Sequence, residues 1–90
     1  PENVARVVTL AKGADALYCE AAYLDRDATL AQERYHLTAR QAGLIARQAE
    51  VRRLVLFHFS PRYQGETEAF YREAREAFGG WVKVPRGHWD

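Results

Sequence analysis

Arg53-Leu54-Val55-Leu56-Phe57-His58-Phe59, running on into Ser60-Pro61-Arg62-Tyr63, is the stretch that decides the fold. It is apolar on both faces over the length of a strand. That pattern belongs to a strand in a sheet covered by helices, because a half-solvated strand would alternate apolar with polar residues. Ser60-Pro61 stops the run. Upstream, Thr38-Ala39-Arg40-Gln41 is a capping-box sequence. Behind it Ala42, Ile45, Ala46 and Ala49 recur at helical spacing as a face of mostly small apolar residues. Downstream, Phe70, Ala74 and Phe78 mark another helix, which Thr67 can cap and Gly79-Gly80 ends.

Further out, Ala16 to Tyr23 is an apolar run of strand length. Asp25 or Asp27 can cap a helical stretch over roughly 28–34. Val4, Val7, Val8 and Ala11 follow the candidate cap Asn3, with Gly13 at the helix end. Trp81 to Val84 reads as a last short strand, Pro85-Arg86-Gly87 as a turn, and Tyr63 to Glu66 as a loop. The order is helix, strand, two helices, strand, helix, strand. Strands alternating with helices imply crossover connections and an α/β sheet. Residues 1–90 read as one unit with no internal boundary or repeat.

Composition narrows the function classes. The net charge of +1 over 90 residues includes no lysine-rich strip. Eleven of the 13 basic residues are arginines, which suit forked contacts to phosphate or carboxylate. Cys19 is the single cysteine, so no internal disulfide forms and a cytoplasmic setting is expected. No apolar run approaches the roughly 20 residues that span a bilayer, and no signal-peptide pattern is present. The chain opens on Pro1 and holds no methionine, which reads as a piece of a longer protein.

Three places break the local rules. Glu20 stands inside an apolar strand; it is either paired at a cleft or turned to solvent by strand alternation. His36 precedes a helix cap, either beside an anion-favouring helix N-terminus or as an exposed loop residue. His58 ends a buried strand, where open α/β sheets bind ligands, with Ser60 and Arg62 within reach of the same crevice; the alternative is a buried histidine bonded to backbone. Together these supply a metal ligand (His58), a proton-transfer pair (Glu20 with His36) and a phosphate clamp (Arg62), the parts of a metal-assisted phosphodiesterase.

The segment from Ala14 to Tyr63 resembles ribonuclease Z, the tRNA 3′-processing endonuclease of the metallo-β-lactamase fold. Ala14 to Asp25 is similar to the segment around the family's His-Glu-Ala-Thr motif. Tyr35-His36-Leu37-Thr38-Ala39-Arg40 is similar to its His-Ser-Thr motif and the following helix. Leu54 to Tyr63 is similar to the strand carrying its last metal-ligand histidine, with the continuation Phe59-Ser60-Pro61-Arg62-Tyr63. The resemblance implies the C-terminal portion of a metallo-β-lactamase αββα sandwich, with strands alternating with helices. It implies that His58 ligates one of two zinc ions and that Glu20 and His36 protonate the leaving 3′ oxygen. Arg62, with Ser60 and Tyr63, would line the phosphate pocket. The expected partners are a tRNA precursor, the N-terminal part of the same hydrolase domain and a second copy in a homodimer.

The sequence departs from the family pattern at three positions: Cys19 and Ala22 replace the histidine and threonine of the first motif, and Leu37 the serine of the second. Its His-x-His-x-Asp-His signature is absent, so the chain alone should be inactive and bind zinc poorly. His88 matches no family ligand and reads as a surface residue. Two other readings stand beside this one: a hydrolase of the same superfamily acting on another phosphodiester or ester, and a non-catalytic α/β module.

Overall fold

The structure is a computed structural model. It describes residues 8, 9 and 11–84. The expected Asn3 cap, the Pro85-Arg86-Gly87 turn and His88 lie outside the described residues.

Three parallel strands form one sheet in the order β1 (Ala16–Glu20), β2 (Arg53–Phe57), β3 (Trp81–Lys83). The run Arg53–Phe57 is the central strand. It pairs Leu54 with Leu17 on one side and Val82 on the other. Strand alternation sends Cys19, Leu54, Leu56 and Val82 into the core. The opposite face carries Tyr18, Arg53, Trp81 and Lys83, with Tyr18 70% and Trp81 50% exposed.

The connection from β1 to β2 runs through a 3-10 turn (Asp25–Asp27), α1 (Ala28–Glu33) and α2 (Ala39–Ala49). The connection from β2 to β3 runs through a second 3-10 turn (Pro61–Tyr63) and α3 (Thr67–Phe78). Helix α2 begins as its sequence predicts. Gln41 N–H donates to Thr38 Oγ1 at 3.1 Å, and Thr38 N–H donates to the Gln41 side-chain oxygen at 2.8 Å. Its small face (Ala39, Ala42, Ala46, Ala49) is fully buried, and Gly43 lets it approach α3. A Cβ built on Gly43 would lie 2.6 Å from the Ala74 carbonyl oxygen and 2.8 Å from Ala77 Cβ. Phe70 fills the space under α3 against Phe59 and Tyr63, with ring centroids 4.7 and 5.3 Å apart.

Several boundaries differ from the sequence reading. The first strand stops at Glu20 rather than continuing to Tyr23: Ala21 N–H still donates to Phe57 O (3.0 Å), but the turn at His58 breaks the regular ladder before Ser60 N–H donates to Ala22 O (2.9 Å). Tyr23 then makes an isolated parallel bridge to Thr38. The central strand stops at Phe57, because His58 turns into the left-handed region at φ 66°. Thr67 is the first residue of α3 and not its cap. Glu66 takes the cap position with no side-chain bond to the helix. A 3-10 turn over Pro61–Tyr63 leads into the loop expected over Tyr63 to Glu66, which passes through Gly65 at φ 88°. Residues 8, 9 and 11 are helical, and Gly13, at φ 74°, follows them as expected.

Candidate functional site

All three strands run the same way, so their C-terminal ends share one edge, the edge where open α/β sheets place ligands. Glu20 is the last residue of β1, and His58 follows the last residue of β2. His36 reaches this edge from the loop between α1 and α2.

The local geometry is tightly specified. His36 Nδ1–H donates to Glu20 Oε1. The other Glu20 oxygen accepts from Leu37 N–H at 3.1 Å and from Ala22 N–H at 3.4 Å. A carboxylate that gathers three donors is held in one orientation, and it fixes which imidazole nitrogen carries the bonded proton. His36 N–H donates to Ala31 O at 2.9 Å, which ties the loop to α1. The His36 and His58 rings stand 6.0 Å apart, nearly perpendicular at 74°. Tyr23 lies on the other side of His36, with centroids 5.8 Å apart. A shallow depression of about 140 Å³ is lined by Tyr23, His36, His58 and Ser60.

Of the two readings left open for Glu20, the paired one describes it: the side chain is 23% exposed and bonded to His36. His36 is partly buried and engaged, not a loose loop residue. His58 is exposed, so it is not the buried histidine of the alternative reading. Both His58 and Tyr35, the residue before His36, have positive φ, at 66° and 59°. Left-handed backbone costs a residue with a Cβ about 1–2 kcal/mol, and it persists where the surroundings fix it.

The remaining predicted residues have more structural surroundings. Arg62 places its guanidinium 5.9 Å from the Tyr23 ring centroid and 3.8 Å from Asp27 Oδ2, with 45% of its side chain exposed. Ser60 Oγ accepts from Arg62 N–H at 3.5 Å. Tyr63 is 1% exposed, and its hydroxyl donates to Asp27 Oδ2, so it packs under the site and braces it. Burial, followed by the Asp27 bond, pushes the Tyr63 phenol up to about 12. Burial, with the Glu20 charge adding, also pushes the Cys19 thiol up to about 12, so Cys19 is protonated and inert at neutral pH.

Sequence reasoning missed Arg34 and Glu73. Arg34 Nη1 donates to Tyr23 OH at 3.2 Å. Glu73, on α3, accepts from Asp25 N–H and Arg40 N–H at 2.9–3.1 Å. Burial raises the Glu73 carboxyl above its ordinary value, against the lowering effect of those two amides. A helical Arg72-Glu73 reads as solvated surface, and no signal in the sequence could have singled it out. A larger groove of about 350 Å³ lies beside Glu73 on the helix side, away from His36 and His58.

Among the described residues no three His, Cys, Asp or Glu side chains gather as a metal site. Glu20 and His36 are committed to each other. Among the described residues this leaves His58 as one candidate ligand.

Against known structures, the chain matches the crystal structure of the metallo-β-lactamase fold protein YhfI from Bacillus subtilis with a TM-score of 0.74 and 28% identity. The match covers 92% of this chain and 33% of that one. The strand-and-helix arrangement and its polar edge are thus a portion of the metallo-β-lactamase fold. Among curated proteins, ribonuclease Z of Chlamydia muridarum is 50% identical over 72 residues, or 80% of this chain. Ribonuclease Z of Thermobifida fusca is 55% identical over 76 residues, or 83%. Within the metallo-β-lactamase fold, then, this is a ribonuclease Z-like segment. It spans about a quarter of the length of the curated relatives it matches, 23% and 24% of these two. No protein-family model matches the chain.

Proposed function

We propose that this chain is the C-terminal part of a zinc-dependent phosphodiesterase of ribonuclease Z type, and that the intact protein cleaves tRNA precursors at the 3′ end. The observation that carries the reading is the Glu20–His36 pair beside His58 on one sheet edge, in a chain about half identical to proteins named ribonuclease Z.

Glu20 holds His36 through Nδ1–H, which leaves Nε2 as the nitrogen that passes a proton to the leaving 3′ oxygen. Arg62 and Ser60 receive the phosphate, with Arg62 released from Asp27 toward its forked acceptor. Tyr63 keeps the 3-10 turn beneath them in place. His58 is the residue that ligates zinc, and the bound metal supplies Lewis-acid chemistry and a nucleophile at neutral pH. The other ligands come from the rest of the protein. All-parallel sheets occur with both faces covered, and the face carrying Tyr18 and Trp81 is open here. The N-terminal part of the same hydrolase domain packs on it. The chain alone is inactive and binds zinc poorly, because one ligand is too few. The setting is cytoplasmic and the assembly a homodimer. No helix among the described residues is long and apolar enough to cross a membrane.

The test uses the intact protein with His58→Ala and Glu20→Ala beside it, reading zinc content and cleavage of a tRNA precursor and of a simple phosphodiester. Zinc lost in His58→Ala, and zinc kept but rate lost in Glu20→Ala, supports the proposal. A simple phosphodiester cut with the precursor left intact points to a sister hydrolase. No zinc in the intact protein, or both variants behaving as wild type, points to a non-catalytic module.

A further inference from the structure

Two segments cross the site in parallel, residues 20–25 and 36–40, joined by the isolated bridge between Tyr23 and Thr38. Tyr23 N–H donates to Leu37 O at 3.4 Å, and Ala39 N–H donates to Tyr23 O at 2.9 Å. Two backbone bonds are a short ladder between these segments, and only the first segment is also tied to the chain around β2, through Ala21 N–H to Phe57 O (3.0 Å) and Ser60 N–H to Ala22 O (2.9 Å). A carboxylate closes this ladder at each end. Before the bridge, Glu20 Oε2 accepts from Ala22 N–H on one segment and Leu37 N–H on the other. Beyond it, Glu73 Oε2 accepts from Asp25 N–H at 3.0 Å on one segment and Arg40 N–H at 2.9 Å on the other. Glu20 belongs to the ladder itself, whereas Glu73 comes from α3, beyond β2 in sequence.

We infer that Glu73 is a positioning residue for the Glu20–His36 pair, a remote clamp that fixes the spacing of the two segments carrying the dyad. The inference rests on the functional reading above for its kinetic consequence, but not for its geometry. Glu73 does not touch the reacting groups. It holds the amides of Asp25 and Arg40 at one separation, and the bridge transmits that separation to Ala22 and Leu37. If the clamp is removed, Glu20 must satisfy Leu37 N–H and His36 Nδ1–H from a ladder free to splay. Arg40 N–H is also one of the first amides of α2, which have no partner within the helix. A carboxylate there is favoured by the helix dipole as well.

The test uses the intact protein with Glu73→Ala and Glu73→Gln. The readings are kcat and KM for precursor cleavage, zinc content, and the His36 ring signals in a sample carrying nitrogen-15 histidine, assigned with His36→Gln. The carboxamide oxygen of glutamine accepts from both amides in the place of Oε2. The expected result for Glu73→Ala is a kcat lower by on the order of tenfold at unchanged KM and zinc content, because small misplacements of reacting groups are costly. The His36 Nδ1–H signal should broaden through exchange with water. Glu73→Gln should recover to within about twofold, since the acceptor geometry is retained. If Glu73→Ala does not fold, Glu73→Asp takes its place with the same expected readings, being too short to span both amides. The clamp is overturned if the truncated variant keeps wild-type kcat and an unchanged His36 signal. It is equally overturned if Glu73→Gln is as impaired as the truncation, or if kcat falls only with the folded fraction while the His36 signal stays sharp. If the intact protein cleaves no phosphodiester, the functional reading fails, and the His36 signal still decides the clamp.

Discussion

Where α2 meets α3 the backbones come so close that one methyl group on Gly43 would meet the Ala74 carbonyl at 2.6 Å. At the strand ends, by contrast, His58 and the residue before His36 hold left-handed backbone, and the side chains are polar and partly open to water. The seam is made of alanine, glycine and phenylalanine, and its order comes from excluded volume. The edge is made of one carboxylate, two imidazoles and backbone amides, and its order comes from hydrogen bonds that name their partners. The first arrangement tolerates no added bulk, while the second tolerates no lost acceptor. Stability and chemistry are therefore assigned to separate residues.

That separation is open to test. The largest effect is expected at the edge. In the intact protein Glu20→Gln should lower phosphodiester cleavage by about 10²–10⁴, the usual worth of a positioned proton-transfer group. Its denaturation midpoint should move little, as measured by urea titration beside the rate assay. A large loss of stability with rate retained would invert the comparison.

At the seam, Phe70→Ala should cost about 3–5 kcal/mol by opening a cavity against Phe59 and Tyr63. The specific activity of the fraction that remains folded should be unchanged. Gly43→Ala should cost about 1–3 kcal/mol, because the neighbour it meets is backbone and cannot turn aside. Denaturant titrations at constant slope check both. A neutral Gly43→Ala would mean that the two helices slide apart at no cost.

The smallest effect is alkaline. The Tyr63 phenol, pushed up to about 12 by burial and by Asp27, is neutral in the fold well above its ordinary value of 10.0. A raised folded value stabilises fully below pH 10, and the stabilisation is lost as pH rises through 12. Stability should thus decline across that window by up to about 3 kcal/mol. Tyr63→Phe should remove the Tyr63 share of this decline and cost about 1 kcal/mol at neutral pH for the lost hydroxyl bond. An unchanged alkaline profile would place the decline elsewhere, with Cys19 the next group to examine.

Much of this arrangement was legible in the chain. The central strand announces itself by four apolar residues, Leu54 to Phe57, with no polar interruption before His58, and the start of α2 by Thr38 and Gln41, whose reciprocal bonds need only residues three apart. Glu20, His36 and His58 were legible as violations, since each puts a polar group where the local pattern calls for none. The ends of both strands were misjudged for one reason: Ala21, Ala22, His58 and Phe59 suit a strand by composition, but the left-handed turn at His58 interrupts the regular ladder there. The Thr67 cap failed because the Tyr63–Glu66 turn delivers the chain to α3 with Glu66 in the cap position. Glu73 was invisible, as an i,i+4 helix surface predicts nothing about amides presented by residues 25 and 40.

What the sequence determines by itself is local: hydrophobic period, caps and glycine turns act over a few residues, so the elements and their order can be read directly. What only the tertiary structure decided is which distant groups meet. The hydrogen bond of His36 to Glu20, the approach of His58, and the hold of Glu73 on two other segments depend on the register of three parallel strands and on the closeness of two helices at Gly43. Such contacts join residues far apart in the chain, and their energies exist only once the core has fixed the distances between them.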